Sequence, residues 1–181
     1  MAKYVAFLRA INVGGRNVKM GQLRRIFEAI GLANVETFIA SGNVLFEARS
    51  KSTDALEKNI AAALQDSLGY PVKTFVRSDA EIGAIVGHEP FNAGKSTVGG
   101  IYVVFLPCPI AEEIRLKLLS LQTETDKFNF HRREIFWRCL TNFSDSGFAG
   151  PRLEKTLGVL ITVRSATTVR KIAAKIPRAS S

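Results

Sequence analysis

The chain has 181 residues, of which 46% are hydrophobic and 23% are charged, proportions typical of a folded protein and not of a disordered one. No apolar run approaches the roughly 20 residues needed to span a bilayer, and Cys108 and Cys139 are too few for a disulfide framework, so we expect a cytoplasmic protein without a membrane partner. The net charge of +9 lies at the two ends, with +4 in residues 1–50, −1 in 51–149 and +6 in 150–181, which suits either an anionic partner or two solvated helix faces.

The first part of the chain carries alternating signals for strands and helices, read from apolar periodicity and from glycine, serine and threonine caps. The first predicted elements are a strand over 3–11 and a helix from Met20 capped at Gly31. Strands over 35–40 and 43–48 follow, joined by a tight turn at Ser41-Gly42. The last two are a helix over 54–68, with Ser52 or Thr53 as N-cap and Gly69 after it, and a strand over 72–77.

This order of strand, helix, two strands, helix and strand leaves few topologies open. A strand-helix-strand unit crosses over with right-handed chirality, and the hairpin that follows inserts the third strand beside the first. We therefore predict a ferredoxin-like α+β arrangement, in which four antiparallel strands carry two helices on one face.

The same order recurs later in the chain, although the two halves share little visible sequence. The second set comprises a strand over 101–106, a helix over 111–121, hairpin strands over 126–131 and 134–140, a short helix over 151–157, a strand over 159–163 and a basic amphipathic helix over 167–176 with Val169, Ile172, Ala173 and Ile176 on its apolar side. We predict a duplicated fold, with half one at 1–77, a connecting helix and loop at 78–98, and half two at 99–181.

Two loops of half one are predicted to meet at one edge of its sheet. The first two strands run in the same direction, so the loop over 10–19 and the turn over 41–43 lie at the same end, a usual place for a binding site on an open sheet. Glycines let backbone N–H groups approach a ligand, and basic side chains beside them attract an anion. The candidate ligand-binding residues are Arg9, Asn12, Gly14, Gly15, Arg16, Lys19, Ser41 and Asn43.

A purely structural interpretation competes with this one. Gly14 and Gly15 suit a plain turn, and Asn12 and Asn43 suit hydrogen bonds to loop backbone. Arg9 ends an apolar strand and needs a partner or solvent, because an unpaired buried charge is costly. The loop also matches neither the G-x-x-x-x-G-K-[ST] nor the G-x-G-x-x-G phosphate-binding pattern.

Patterns for enzymatic chemistry are mostly missing. His88 and His131 fall in different parts of the chain and neither has ligand-like neighbours, and H-E-x-x-H and C-x-x-C are absent, so we expect no metal site and no cofactor. Cys108 in "LPCPI" is a candidate reactive thiol, although a lone cysteine without a visible partner is more often inert. The charged turn at 131–133 is interpreted as solvated.

This topology is also that of the RNA-recognition motif, a nucleic-acid-binding domain that exposes aromatic residues on its central strands and carries a basic and aromatic signature on the third. The third strand here reads "NVLFEA" and lacks that signature. Phe128, Phe130, Phe136 and Trp137 of half two resemble core residues. What remains is the basic C-terminal segment, which suits non-specific contacts to phosphates.

The opening "YVAFLRAINVGGRNVKMGQLRRIFEAIGLANVETFIASGNVLFE" resembles that of the bacterial family known as domain of unknown function 1697, and "RLEKTLGVLITVRSATTVRKI" resembles its closing segment. The resemblance implies an α+β protein of two ferredoxin-like halves, cytoplasmic and without an established activity. The chain departs from the family at Ala10, where glycine is usual, and at Ser165-Ala166-Thr167, where the family typically carries Asn-Trp-Asn. The retained residues are Arg9, Asn12, Gly14, Gly15, Ser41, Gly42, Asn43 and the run Leu153-Glu154-Lys155.

The leading hypothesis is a small cytoplasmic protein that binds an anionic ligand, either a small molecule such as a nucleotide or a stretch of nucleic-acid backbone, where loop 10–19 meets turn 41–43. Two alternatives are an enzyme acting on a small phosphorylated or acidic substrate and a protein-interaction module.

Overall fold

The computed structural model of the protein describes residues 1–39, 42–91 and 99–176. Half one comprises β1 (Ala2–Leu8), α1 (Met20–Ala29), β2 (Ala33–Phe38), β3 (Asn43–Ala48), α2 (Thr53–Leu68) and β4 (Thr74–Ser78). Helix α3 (Asp79–Gly87) follows β4. Half two comprises β5 (Gly100–Phe105), α4 (Glu112–Ser120), β6 (Asp126–His131), β7 (Glu134–Cys139), a 3-10 turn (Phe143–Asp145), α5 (Pro151–Leu157), β8 (Thr162–Ser165) and α6 (Ala166–Lys175).

Each half contains a four-stranded antiparallel sheet. The strand order is β2-β3-β1-β4 in half one and β6-β7-β5-β8 in half two, and every neighbouring pair is antiparallel. In both sheets the third strand of the half separates the first from the second. The predicted α+β fold class, with two similar halves of β-α-β-β-α-β order, is confirmed.

The helices of half one pack on one face of its sheet. Tyr4, Ala6 and Leu8 of β1 belong to the same buried cluster as residues of both α1 and α2, so these alternate residues of the strand face the two helices. The helical members are Leu23, Ile26, Phe27, Leu56, Ile60 and Leu64. Full burial of one such side chain contributes about 1.5–3 kcal/mol to folding. The spacing of apolar residues therefore predicts both helices.

The ends of α2 are set by two residues that the sequence indicated. Of the two candidate N-caps, Ser52 holds the position, where its Oγ accepts a hydrogen bond from the Ala55 N–H at 3.2 Å. Gly69 ends the helix in the left-handed region, at a φ of +78°, where a side chain would be strained. The chain then turns back toward β4.

The core of half two gathers on the helix-bearing face of its own sheet. Val104 and Leu106 pack with Trp137 and with Leu118 of α4. The indole Nε1–H of Trp137 donates to the buried carboxylate of Asp126 at 2.8 Å, which satisfies the only polar atom of that large side chain. The prediction that aromatic residues of this half form core is confirmed for Trp137.

Two predicted strands have the largest shifts at their ends. The strand predicted over 3–11 ends at Leu8, because Ala10 takes a φ of +55° that no strand can accommodate. The strand predicted over 159–163 is instead β8, which begins at Thr162. Ile161, just before β8, is buried in the core cluster without being part of the strand, whereas Leu160 beside it is 48% exposed.

Superposing the two halves by their sheets shows short repeats that the sequence analysis missed. Tyr4–Leu8 and Tyr102–Leu106 differ at one position in five, and Tyr4 and Tyr102 pair with the serines that end β4 and β8. Both of those strands end in Val-Arg-Ser, and each serine hydroxyl accepts a hydrogen bond from the first turn of the following helix. The expectation of little shared sequence is wrong at these two places.

By compactness the chain divides into two units, Met1–Gly83 with Ile172–Ser181, and Ala84–Lys171. The unit boundaries fall within α3 and α6, whereas the predicted domain boundaries followed the order of elements and stay a prediction. Among the described residues, every helix is too short or too polar to cross a membrane.

Candidate functional site

The loop after β1 and the hairpin turn before β3 touch each other. The Leu8 N–H donates to the Gly42 carbonyl at 2.8 Å, and a Cβ built on Gly42 would stand 2.8 Å from Ile11 Cγ2. Ser41, one of the candidate ligand-binding residues, lies outside the described residues. We call the edge formed by residues 9–19 and 42–43 the first-half rim.

A glycine turn forms the outer part of this rim. The Arg16 N–H donates to the Val13 carbonyl at 3.3 Å, and the two residues between them, Gly14 and Gly15, take φ values of +64° and +81°. Two consecutive positive φ values are what a type I′ turn requires. A Cβ at either glycine would meet nothing within 4 Å, so the backbone conformation, and not crowding, selects glycine here.

The base of the loop is held firmly against half one. Asn12 Oδ1 accepts a hydrogen bond from the Val18 N–H at 2.8 Å, which closes the loop around the glycine turn. Ile11 and Val18, on either side of that turn, are buried in the core of half one. The exposed turn is therefore presented by a packed base, which keeps its backbone donors in place for a ligand.

Asn43 closes the hairpin turn with a side-chain hydrogen bond to backbone, as Asn12 closes the loop. Its side chain is 0% exposed, and its Nδ2–H donates to the Phe38 carbonyl across the turn at 3.0 Å. Both asparagines thus bond to backbone, in the way that the structural interpretation expects. Their predicted part in orienting a ligand stays a prediction.

The charged side chains of the loop point outward. Arg16 and Lys19 are both exposed, and the Arg16 guanidinium carbon lies 4.1 Å from the centre of the Tyr70 ring. Such a contact between a cation and an aromatic face holds a long side chain in one region of space. Among the residues that the structure describes, neither cation has an acidic partner.

The start of α1 is unusual for a helix. Lys19 occupies the N-cap position without a side-chain hydrogen bond to the helix, and the first turn contains no acidic residue. Positive charge at this end opposes the helix dipole. By contrast, α2 starts with a serine cap and has Asp54 in its first turn. The N-terminus of α1 is therefore an electropositive point at the rim.

Arg9 and the start of β4 complete the rim on its other side. Arg9 is half-buried, and its backbone N–H donates to the Lys73 carbonyl at 2.9 Å. Lys73 itself is exposed. Because β4 is antiparallel to β1, its first residues must arrive where β1 ends, and they bring Lys73 and Tyr70 to this edge.

Lys73 and Tyr70 are the residues that the sequence analysis missed at this site. The signal that could have found them was the predicted topology itself, since the last strand of a ferredoxin-like half starts beside the end of the first. The charge of the first strand, loop and helix also favours a basic edge, because the chain contains six basic residues and no acidic one before Glu28.

The two histidines were not expected to meet, and the structure corrects this. The His88 ring of the connecting segment stacks on the His131 ring of half two with centroids 4.4 Å apart, and the His88 Nε2–H donates to Asn129 Oδ1 at 2.8 Å. His131 Nε2 is buried and has no hydrogen-bond partner among the described residues. Burial, followed by the neighbouring His88 and Arg132, lowers the pKa of His131 below its ordinary value of 6.5.

No metal centre emerges from this pair. Within the described ranges, no three histidine, cysteine, aspartate or glutamate residues gather as metal ligands do. Cys108 is exposed and Cys139 is buried, and both are free thiols. Neither of them contributes to the first-half rim.

Comparison with known proteins places the chain in a family but gives it no activity. Residues 1–136 match the model of the family described as protein of unknown function (DUF1697), and the chain belongs to that family. Its fold is similar to that of the conserved bacterial protein SP0830 from Streptococcus pneumoniae, with a TM-score of 0.80 and 23% identity over 97% of this chain and 98% of that one. No curated protein matches the sequence.

Proposed function

We propose that this member of a family of unknown function binds a phosphate-bearing anion, either a nucleotide or a stretch of nucleic-acid backbone, at the first-half rim. Arg16 and Lys19 supply the charge, and Gly14 and Gly15 supply backbone donors. Arg9 lies at the base of the rim, and Asn12 and Asn43 hold the loop and the turn in shape. The free thiols of Cys108 and Cys139 suit a reducing compartment, and we place this activity in the cytoplasm.

The single observation that carries the proposal is the length of the loop. Half one connects its first strand to its first helix with eleven residues, 9–19, whereas half two makes the same connection with six, 106–111. The shorter connection contains no basic residue. Since the fold needs only the shorter one, the extra residues, their glycine turn and their cations are features that the fold does not require.

The electrostatics of the rim support the same ligand class. A glycine turn with exposed backbone, a helix start without a cap and several exposed cations all favour a compact negative charge. A phosphate group suits all three features, because it accepts several hydrogen bonds and carries negative charge. That negative charge is the partner that the lysine and the arginine lack among the described residues.

The test is the binding of a fluorescein-labelled single-stranded oligonucleotide, followed by anisotropy at about 50 and 200 mM salt. Removing a cation that contacts a phosphate is expected to weaken binding and to reduce the slope of log K against log salt by about 0.7 for a single strand. We expect this for Lys19→Ala and for Arg16→Ala, with little change in the melting temperature because both side chains are exposed.

Lys117→Ala is the matched control, since Lys117 is an exposed lysine of α4 in half two and should leave both affinity and slope unchanged. Binding that resists both rim substitutions would remove the rim from the proposal. Absence of binding by the oligonucleotide, by nucleotides and by inorganic phosphate would overturn the proposed function itself.

A further inference from the structure

The contact between Arg16 and Tyr70 adds an aromatic and planar component to a site otherwise made of charge. The guanidinium carbon of Arg16 lies 4.1 Å from the centre of the Tyr70 ring, so the ring covers one side of the guanidinium. Arg16 is nonetheless an exposed residue, which leaves its other side open to a ligand. An arginine held in this way is more than a point charge, because its plane can stack on another flat group.

Tyr70 is well fixed for this purpose. It lies directly after the left-handed Gly69 that ends α2, and its side chain packs against the core of half one. Its hydroxyl is buried and has no hydrogen-bond partner in the part of the chain that the structure describes. The ring is therefore an immobile platform, and the energetic cost of burying its hydroxyl is not repaid by any described contact.

An exposed apolar side chain lies next to Arg16. Val13 is 57% exposed, and its carbonyl accepts the hydrogen bond from the Arg16 N–H that closes the glycine turn. The two residues are thus side by side across the turn, with the open backbone of Gly14 and Gly15 between them. A flat cation and an apolar side chain together suit a heteroaromatic ring better than they suit phosphate alone.

From this juxtaposition we infer that the rim recognises a nucleotide unit, with the base stacked on the outer side of Arg16 against Val13 and the phosphate over the glycine turn and Lys19. The inference rests on the proposed function, because it assumes that the rim holds a phosphate. It adds that the base contributes to affinity, so a phosphate without a base is a poorer ligand. The nucleotide unit is either free or part of a single strand.

Calorimetric titration with AMP and with ribose 5-phosphate tests the base directly. Both ligands carry the same phosphate and sugar, and we expect AMP to bind at least about tenfold more tightly, the usual effect of stacking one base. Arg16→Lys retains the charge and loses the plane, so it should bring AMP down to the affinity of ribose 5-phosphate while leaving the latter unchanged. Tyr70→Leu should act in the same direction, and Lys117→Ala should change neither affinity.

A second experiment distinguishes a free nucleotide from a nucleotide within a single strand. Because it uses no substitution, it stays valid if the variants loosen the loop. It compares a labelled 12-nucleotide strand with the same strand carrying abasic sites, on the wild-type protein. If the protein prefers the intact strand and does not bind AMP, the inference holds with a single strand as the ligand. If AMP binds with an affinity at least equal to that of the strand, the ligand is a free nucleotide.

Equal affinity for AMP and ribose 5-phosphate, together with equal binding of the intact and abasic strands, would overturn base recognition and leave the phosphate site standing. Failure of all four probes to bind would overturn the proposed function instead. A wild-type preference for AMP that survives in Arg16→Lys would remove Arg16 from the recognition of the base.

Discussion

The two halves use one framework and differ where the first strand meets the first helix. In half one the Leu8 N–H donates to the Gly42 carbonyl at 2.8 Å, and in half two the Leu106 N–H donates to the Arg133 carbonyl at 2.9 Å. The strand segments that lead into this bond, Tyr4–Leu8 and Tyr102–Leu106, differ at one position in five. Beyond this shared bond, half one extends into a long basic loop and half two into the short segment "PCPIA".

This difference separates the demands of folding from the demands of binding. Residues that recur in both halves, such as the serine caps after β4 and β8, serve the framework that both halves must build. Residues that occur in half one alone, such as the Gly14-Gly15 turn and Arg16, are not explained by that framework. Comparison of the two halves therefore distinguishes the residues that the fold requires from those that it does not require.

The largest effect that would sharpen the comparison is expected from Gly42→Ala. Gly42 takes a φ of +77°, and an added Cβ would stand 2.8 Å from Ile11 Cγ2 and 3.1 Å from Leu8 Cβ. Backbone strain and overpacking together should lower the free energy of unfolding by about 3 kcal/mol. Urea denaturation measures this change.

Gly14→Ala is the matched control for that substitution, because Gly14 also has a positive φ but an added Cβ meets nothing. It should cost only about 1 kcal/mol. Similar losses for the two variants would mean that the close approach of turn and loop does not stabilise the rim.

A pH effect specific to half two is expected next, from the stacked histidines. The pKa of His131 is lowered by burial and by the positive charges that His88 and Arg132 can carry. The unfolded chain therefore takes up this proton more readily than the folded protein. The stability from the neutral imidazole is complete above the unfolded pKa of about 6.5, and it is lost as the pH falls below that value and through the lower pKa of the folded protein.

The unfolding free energy of the wild type should accordingly begin to drop as the pH falls below about 6.5, above the range in which ordinary carboxylates titrate. His131→Gln, which cannot titrate, should flatten the profile in that window. Urea denaturation across the pH range measures both curves, and parallel slopes for the two proteins would show that this histidine is not responsible.

The smallest effect is expected from Ala10→Gly, and it is a gain. Ala10 follows β1 with a φ of +55°, which costs an alanine about 1–2 kcal/mol. Glycine removes that strain but adds about 0.5–1 kcal/mol of chain entropy to the unfolded state, so a net gain of roughly 0.5 kcal/mol and a rise of about 1–2 °C in melting temperature are expected. A lower melting temperature in a thermal scan would contradict the assigned strain.

This position is also one of the departures noted in the sequence. The resemblance to the family implies glycine there, and the left-handed backbone of residue 10 is where glycine is favoured. In the altered segment Ser165-Ala166-Thr167, Ser165 Oγ accepts a hydrogen bond from the Thr168 N–H at 3.1 Å and caps α6.

The sequence alone determined the elements, their order and the topology of both halves. Apolar spacing, Ser52 as a cap and Gly69 as a stop are local signals, and a right-handed crossover followed by a hairpin leaves few ways to assemble the strands. From that topology it followed that the loop after β1 and the turn before β3 lie together. These inferences succeeded because each depends on neighbours in sequence or on a general rule of chain connection.

Only the tertiary structure decided the contacts between segments that are far apart in sequence. The position of Tyr70 over Arg16 and the stacking of His88 on His131 each depend on side-chain directions that no periodicity encodes. The end of β1 at Leu8 was decided in the same way, because the positive φ of Ala10 is imposed by the packed base of the rim against the intrinsic preference of alanine. Local propensity is a small energy, and the packing of a core or a rim outweighs it.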